Sequence, residues 1–253
     1  MSTRSVLLRT GTAELLRLRT VRSTWWFLAA YAVFMVGLGA ALGFEAAADP
    51  VELQGEPAWM TVRYLTVAGQ FALLGLALTA VTSDYATGGI VPALQWTPRR
   101  TLLLVARWSV LVVVAAGTGV MMAVLAALTS ATTSGGALTL RTDDGLDMIA
   151  TVGVVLAAGV TLAVGLGFLL RSTGGGLVTA FLLMLVLPLI LPQLGSWMRN
   201  VAEVLPGSGA VYLLFDGDGP DLATTSALTV LLGWAAATLV LGWWRLVRDD
   251  ANR

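Results

Sequence analysis

Residues 101–128 read TLLLVARWSVLVVVAAGTGVMMAVLAAL, and Arg107 is the one ionisable side chain among them. The stretch is apolar on every face, so neither a half-wet surface helix nor an alternating strand accounts for it. At about 1.5 Å of rise per residue it outruns the roughly 30 Å of hydrocarbon in a bilayer. Lipid offers the backbone no hydrogen-bond partner, so a spanning run of this kind has to be a helix. The pattern recurs from Trp25 to Phe44, Tyr64 to Ser83, Met148 to Leu170, Leu177 to Leu194 and Leu222 to Trp244. The expected fold is an all-α membrane protein of six transmembrane helices, forming a single domain over residues 1–253.

Composition agrees. Of 253 residues, 57% are hydrophobic and 12% charged, against about 25% charged in soluble domains, and the mean hydropathy is +0.83. Cysteine and histidine are absent, and all 15 basic residues are arginine. The chain therefore has no disulfide, no histidine metal ligand or general base, no Schiff-base lysine, and no Walker A loop, whose lysine reaches nucleotide phosphates. No catalytic, cofactor-binding or metal-binding residue is expected. If the protein uses ATP, another chain must bind it. The run Asp216-Gly217-Asp218-Gly219-Pro220-Asp221 lacks the spacing and closing glutamate of an EF-hand. The apolar stretch from Trp25 is longer than the 7 to 15 residues typical of a signal peptide, so a retained first span is expected.

Arginine placement predicts orientation, because basic residues beside spans stay in the cytoplasm. With both termini inside, Arg4, Arg9, Arg17, Arg19, Arg22, Arg99, Arg100, Arg107, Arg171, Arg245, Arg248 and Arg253 are cytoplasmic, and only Arg63, Arg141 and Arg199 fall outside. The outer loops collect acids, among them Glu45, Glu52, Asp143, Asp144 and Glu203. The expected location is a cell membrane, crossed several times, bacterial by this reading.

Ahead of the first span, residues 1–23 form the expected cytoplasmic interfacial helix: Val6 to Val21 interleaves leucines with arginines. Leu7, Leu8, Leu15 and Leu18 share an arc. Leu16 lies off it, and Gly11 is a candidate break, with Thr12 able to cap a restart. The plainer alternative is an arginine-rich tail that only sets topology.

The loop Ser83 to Arg100 is more than a connector. An acid at the membrane exit, Asp84, precedes the pair Gly88-Gly89, a short apolar segment, Pro98, and then Arg99 and Arg100, with Arg107 inside the third span. That order predicts a short helix on the cytoplasmic face, ended before Pro98. Arg107 can snorkel to the interface or pair with Asp84. The plain alternative is that these charges are interfacial anchors.

With these residues in this order, and with an N-terminal helix before six spans, the chain resembles the permease subunits of ABC-2 type transporters over nearly its whole length. Aspartate and arginine stand where glutamate and lysine are frequent in that family, and Gly89 where threonine is common. The resemblance implies that Asp84 to Arg100 holds a coupling helix contacting a separate ABC ATPase subunit, with Val6 to Val21 as the connecting helix beside it. It also implies a homodimer or a heterodimer with a second permease. The coupling residues carried over are Asp84, Gly88, Gly89, Pro98, Arg99, Arg100 and Arg107. The family often places short re-entrant helices in the last outer loop, and Gly195 to Asp221, with Trp197, Met198, Val201 and Val211 to Phe215, fits that.

Within the spans, Gln70 is the one strongly polar residue deep in the second; it either lines a path or makes an interhelical hydrogen bond. Gly159, Ala163 and Gly167 put small side chains on one face of the fourth span, where helices approach closely. Pro188 and Pro192 remove backbone donors from the fifth and are expected to kink it.

The expected function is therefore an exporter permease for a hydrophobic or amphipathic substrate, with lipid and an ATPase as partners and no nucleic acid. A non-transporting scaffold or sensor subunit is the alternative. An intramembrane enzyme is disfavoured, since histidine is missing and no second acid accompanies Asp84 at the membrane.

Overall fold

A computed structural model of the chain describes residues 3–49, 55–96, 99–215 and 223–248. Pro98, Glu52, Arg253 and the Asp216 to Asp221 run lie outside the described residues. Among the described residues, ten helical elements follow in order: α1 (Thr3–Thr20), α2 (Arg22–Ala48), α3 (Trp59–Thr87), α4 (Ile90–Trp96), α5 (Arg100–Thr133), α6 (Thr142–Leu170), α7 (Thr173–Leu194), α8 (Ser196–Glu203), α9 (Pro206–Leu214) and α10 (Thr224–Arg248). Six of them, α2, α3, α5, α6, α7 and α10, are long and apolar enough to span a membrane. Among the described residues there is no strand; a single bridge, Pro57 to Thr139, ties the loops ahead of α3 and α6. Each span runs past at least one of its expected ends, because helices continue through the polar caps where apolar patterning has stopped, while α6 and α7 finish at the expected Leu170 and Leu194.

Two spans form the centre. About 72% of the apolar window of α6 and 67% of that of α3 is buried, against 17% for α7. The others surround them and turn Val113, Val178 and Val240 outward. The small-residue face of α6 serves this centre. Gly159 abuts Leu74 and Gly167 abuts Val81, both on α3. The stripe is thus an intrachain seam. A second seam, which the four-residue spacing did not reveal, uses another face of α6: a side chain at Gly165 would meet the backbone of Thr238 on α10, and an atom added at Gly242 would lie 2.6 Å from the Gly165 carbonyl.

Gly11 does not break α1. The helix runs unbroken to Thr20, Thr12 donates its hydroxyl back to the Leu8 carbonyl, and Gly11 lies against Val110 of α5. A helix packed along a neighbour tolerates an interior glycine, because tertiary contact outweighs about 1 kcal/mol of propensity.

The span α7 is irregular around Pro188 and Pro192. It passes from regular helix into a wide π turn at Leu182–Val186, one short α turn at Leu187–Ile190 and a tight 3-10 turn at Leu191–Leu194. Pro188 cannot donate to the Met184 carbonyl, and Gly207, at the start of α9, packs directly on that carbonyl. The loop after α7 therefore folds back: α9 is buried at Pro206 to Ala210 and packs between α7 and α10, with Ser208 donating to the Ala202 carbonyl at 2.6 Å.

Candidate functional site

Four charged side chains cluster at one end of the bundle, where α1, the end of α3 and the beginning of α5 meet. α1 carries Glu14, the only acid among the first 44 residues, and Arg17 one turn later. Leu18, on the same side, is buried and anchors that face. Asp84 lies in the last turn of α3, and Arg107 two turns into α5. These four side chains close a ring. Arg107 donates to Glu14 Oε1 through Nη2 at 2.7 Å and Nε at 3.2 Å, and its Nη2 lies 2.8 Å from Asp84 Oδ2. Arg17 grips the other side of Asp84, with Nη2 at 3.0 Å from Oδ1 and Nη1 at 3.0 Å from Oδ2. The ring closes at 3.3 Å between Arg17 Nη1 and Glu14 Oε2. Arg17 also donates to the Ala80 carbonyl at 2.7 Å and to the Ser83 hydroxyl.

Arg107 is only 2% exposed. An isolated guanidinium buried that deeply costs several kcal/mol, and two carboxylates in direct contact are what make it tolerable. Two arginines against two acids leave the ring electrically neutral. Its mechanical consequence follows from its membership: three elements far apart in sequence cannot move past one another without breaking charge-assisted bonds.

The Asp84 to Arg100 stretch divides. Asp84 and Arg107 join the ring. Gly88 ends α3 with φ 74°, a left-handed cap that favours glycine. Gly89 carries no such constraint and precedes α4, accepting from the Ala93 amide. Within α4, Ile90 is buried, while Trp96 is 88% exposed. Arg99 is the N-cap residue of α5, with extended backbone. Arg100 turns away from the ring and donates to the Leu246 carbonyl of α10 at 2.7 Å. A cleft of about 400 Å³ separates α1 from α4, lined by Arg9, Glu14, Arg107, Ala93 and Trp96.

Arg100 belongs to a second pattern at this end. Arginines cap the last carbonyls of neighbouring helices: Arg100 of α5 on α10, and Arg245 of α10 on Leu169 of α6. Arg171, the one non-glycine residue with positive φ among the described residues (54°), places its guanidinium 5.1 Å from the Tyr85 ring centroid. Arg100 and Arg245 thus satisfy orphan helix-terminal carbonyls and complement the negative helix ends.

Sequence reasoning placed Arg17 only among topology-setting arginines and passed over Glu14. The available signal was a lone acid set among five arginines, three residues from one of them and four from the buried Leu18. Gln70 does not make the interhelical hydrogen bond. Its amide donates to Val67 in its own helix at 3.0 Å, and its buried oxygen sits beside Gly159, without a partner among the described residues. Bonds between helices come instead from Trp108 to Thr161 at 2.9 Å and from Thr82 with Thr173 at 2.5 Å. A tryptophan indole and a threonine hydroxyl reach across, where the Gln70 amide curls back onto its own helix.

Among the described residues no cluster of acids is arranged to hold a metal ion. Comparison with known proteins finds no family model that matches the chain and no curated protein that matches it.

Proposed function

We propose that this chain is the membrane-spanning subunit of an ABC-2 type exporter. In this reading the arginine-rich end faces the cytoplasm of a bacterial cell, and two permeases, identical or paired with a second kind, work with a separate ATPase. The observation that carries it is the ring of Glu14, Arg17, Asp84 and Arg107, which ties α1 and the exit of α3 to α5 directly beside an outward-facing short helix. α4 is the coupling helix, Trp96 and the cleft beside α1 receive the ATPase surface, and the ring passes displacement of that surface into α3 and α5 as one body. A rigid element whose position two sites share is the physical requirement for such coupling. The cargo is hydrophobic or amphipathic.

The test is co-expression with any P-loop ATPase that a neighbouring gene encodes, followed by affinity purification through this chain. The ATPase is expected to co-purify, and Trp96→Ala is expected to release it while leaving the thermal melt of the permease unchanged. A tight complex that survives replacement of residues 90–96 would overturn α4 as the contact. Absence of any associated ATPase would move the assignment to the scaffold reading.

A further inference from the structure

The end of the bundle opposite Arg107 holds a cavity of about 550 Å³, within the range of small-molecule sites. The irregular turns of α7 form one wall, with Met184, Leu185 and Pro188. The start of α3 forms another, with Tyr64 and Val67, and the folded-back pair α8 and α9 closes the top. Leu189 lines the cavity yet is largely exposed, so it opens sideways along the lipid-facing surface of α7. The lower walls are hydrocarbon, and an apolar space of this size facing hydrocarbon does not fill with water.

The top of the cavity is different in kind. Arg199 and Glu203 both line it from α8, one turn apart, and neither forms an ion pair among the described residues. Opposite charges four apart on a helix commonly pair, but with the cation nearer the N-terminus the arrangement is the weaker one. Arg199 is exposed and Glu203 half-buried, so a cation and an anion one turn apart line the same end of an apolar cleft. Tyr64 and Phe215, packed edge to face at 5.0 Å, add aromatic surface at the same level, which favours an ammonium group.

We propose that this cavity binds a single-chain zwitterionic amphiphile of the lysophosphatidylethanolamine type, from the membrane leaflet at that end. Its phosphate meets Arg199, its ammonium meets Glu203, and its acyl chain lies between α3 and α7. An anionic amphiphile leaves Glu203 opposed, and a fatty chain without charge leaves both groups unused, so the zwitterion is the occupant that satisfies the whole lining. The inference does not depend on an ATPase or on transport.

The full-length chain in nanodiscs, without any ATPase, is photolabelled with lysophosphatidylethanolamine carrying a diazirine in its acyl chain, and the labelled peptides are mapped. Saturable labelling of residues 64–67 and 184–189 is expected, displaced by unlabelled lysophosphatidylethanolamine at least fivefold better than by lysophosphatidylglycerol. Arg199→Gln is expected to weaken displacement by both lipids. Glu203→Gln is expected to weaken it for the zwitterion alone, erasing the preference, and Leu185→Trp, which fills the cleft, to abolish labelling. Labelling spread evenly over the lipid-facing helices would overturn the proposal. So would a headgroup preference indifferent to both charge substitutions, or, with Leu189→Cys introduced into this cysteine-free chain, a disulfide joining two copies, which would show a second copy covering the cavity. Melting temperatures of the three variants within a few degrees of wild type confirm that loss of labelling reports the site.

Discussion

The two ends of this bundle treat charge in opposite ways. At one, Arg107 is buried and its carboxylate partners hold it from two directions; at the other, Arg199 and Glu203 face a cavity without ion-pair partners among the described residues. Removing one member of a buried ion-pair network strands the rest, whereas a half-solvated charge loses little when removed. The first end is a clasp and the second an open seat, although the same few residue types build both.

That contrast is most directly broken at Arg107. Arg107→Met leaves Glu14 and Asp84 facing each other with only Arg17 between them, and is expected to cost about 3–5 kcal/mol, read as a sharp fall in melting temperature in detergent. Adding Glu14→Gln and Asp84→Asn to that variant should recover much of the loss, because neutral partners no longer need the guanidinium. A single variant as stable as wild type would show that the ring does not hold the helices.

Steric packing should not distinguish the ends, which sharpens the claim that charge does. Gly165 meets the α10 backbone at the clasp end, and Gly207 meets the Met184 carbonyl at the seat end. Alanine at either should cost about 1–3 kcal/mol by overpacking. Gly117, with open space around it, should accept alanine with no loss. Unequal costs at Gly165 and Gly207 would mean that the ends differ in packing as well.

A smaller effect is expected at the arginines that cap helix ends. Arg100→Gln shortens the reach to the Leu246 carbonyl and removes the charge, at a cost of about 1 kcal/mol, measurable as a modest shift in the same melt. The smallest belongs to Arg199→Gln, within about 0.5 kcal/mol of wild type. Should Arg199→Gln destabilise as much as Arg107→Met, the distinction between clasp and seat would fail.

Much of this layout was legible beforehand. Six apolar runs, each too long and too uniform for anything but a lipid-spanning helix, were visible from Trp25 to Trp244, as were the prolines that make α7 irregular. The charged end was half legible. Asp84 and Arg107 stood out as an acid at a membrane exit and a cation inside a span, but Glu14 and Arg17 were hidden in a basic leader whose amphipathic pattern is poor. Gln70 misled for a local reason: its side chain is long enough to satisfy its donor on its own helix.

What the sequence determined by itself is the solvent of each segment, because transfer between water and hydrocarbon acts on every residue separately and sums along a run. It also determined what chemistry is missing, since a side chain that is absent cannot be supplied by folding. Tertiary structure alone decided which charges meet. The contacts that close the ring lie 67 and 93 residues apart in the chain, and the cavity joins the start of α3 to a loop that folds back after α7. Ion pairing and cavity shape depend on distances of a few ångströms between such segments. No pattern along one segment encodes those distances; the packing of α6 against α3 and α10, set by glycine at the contact points, brings them to their values.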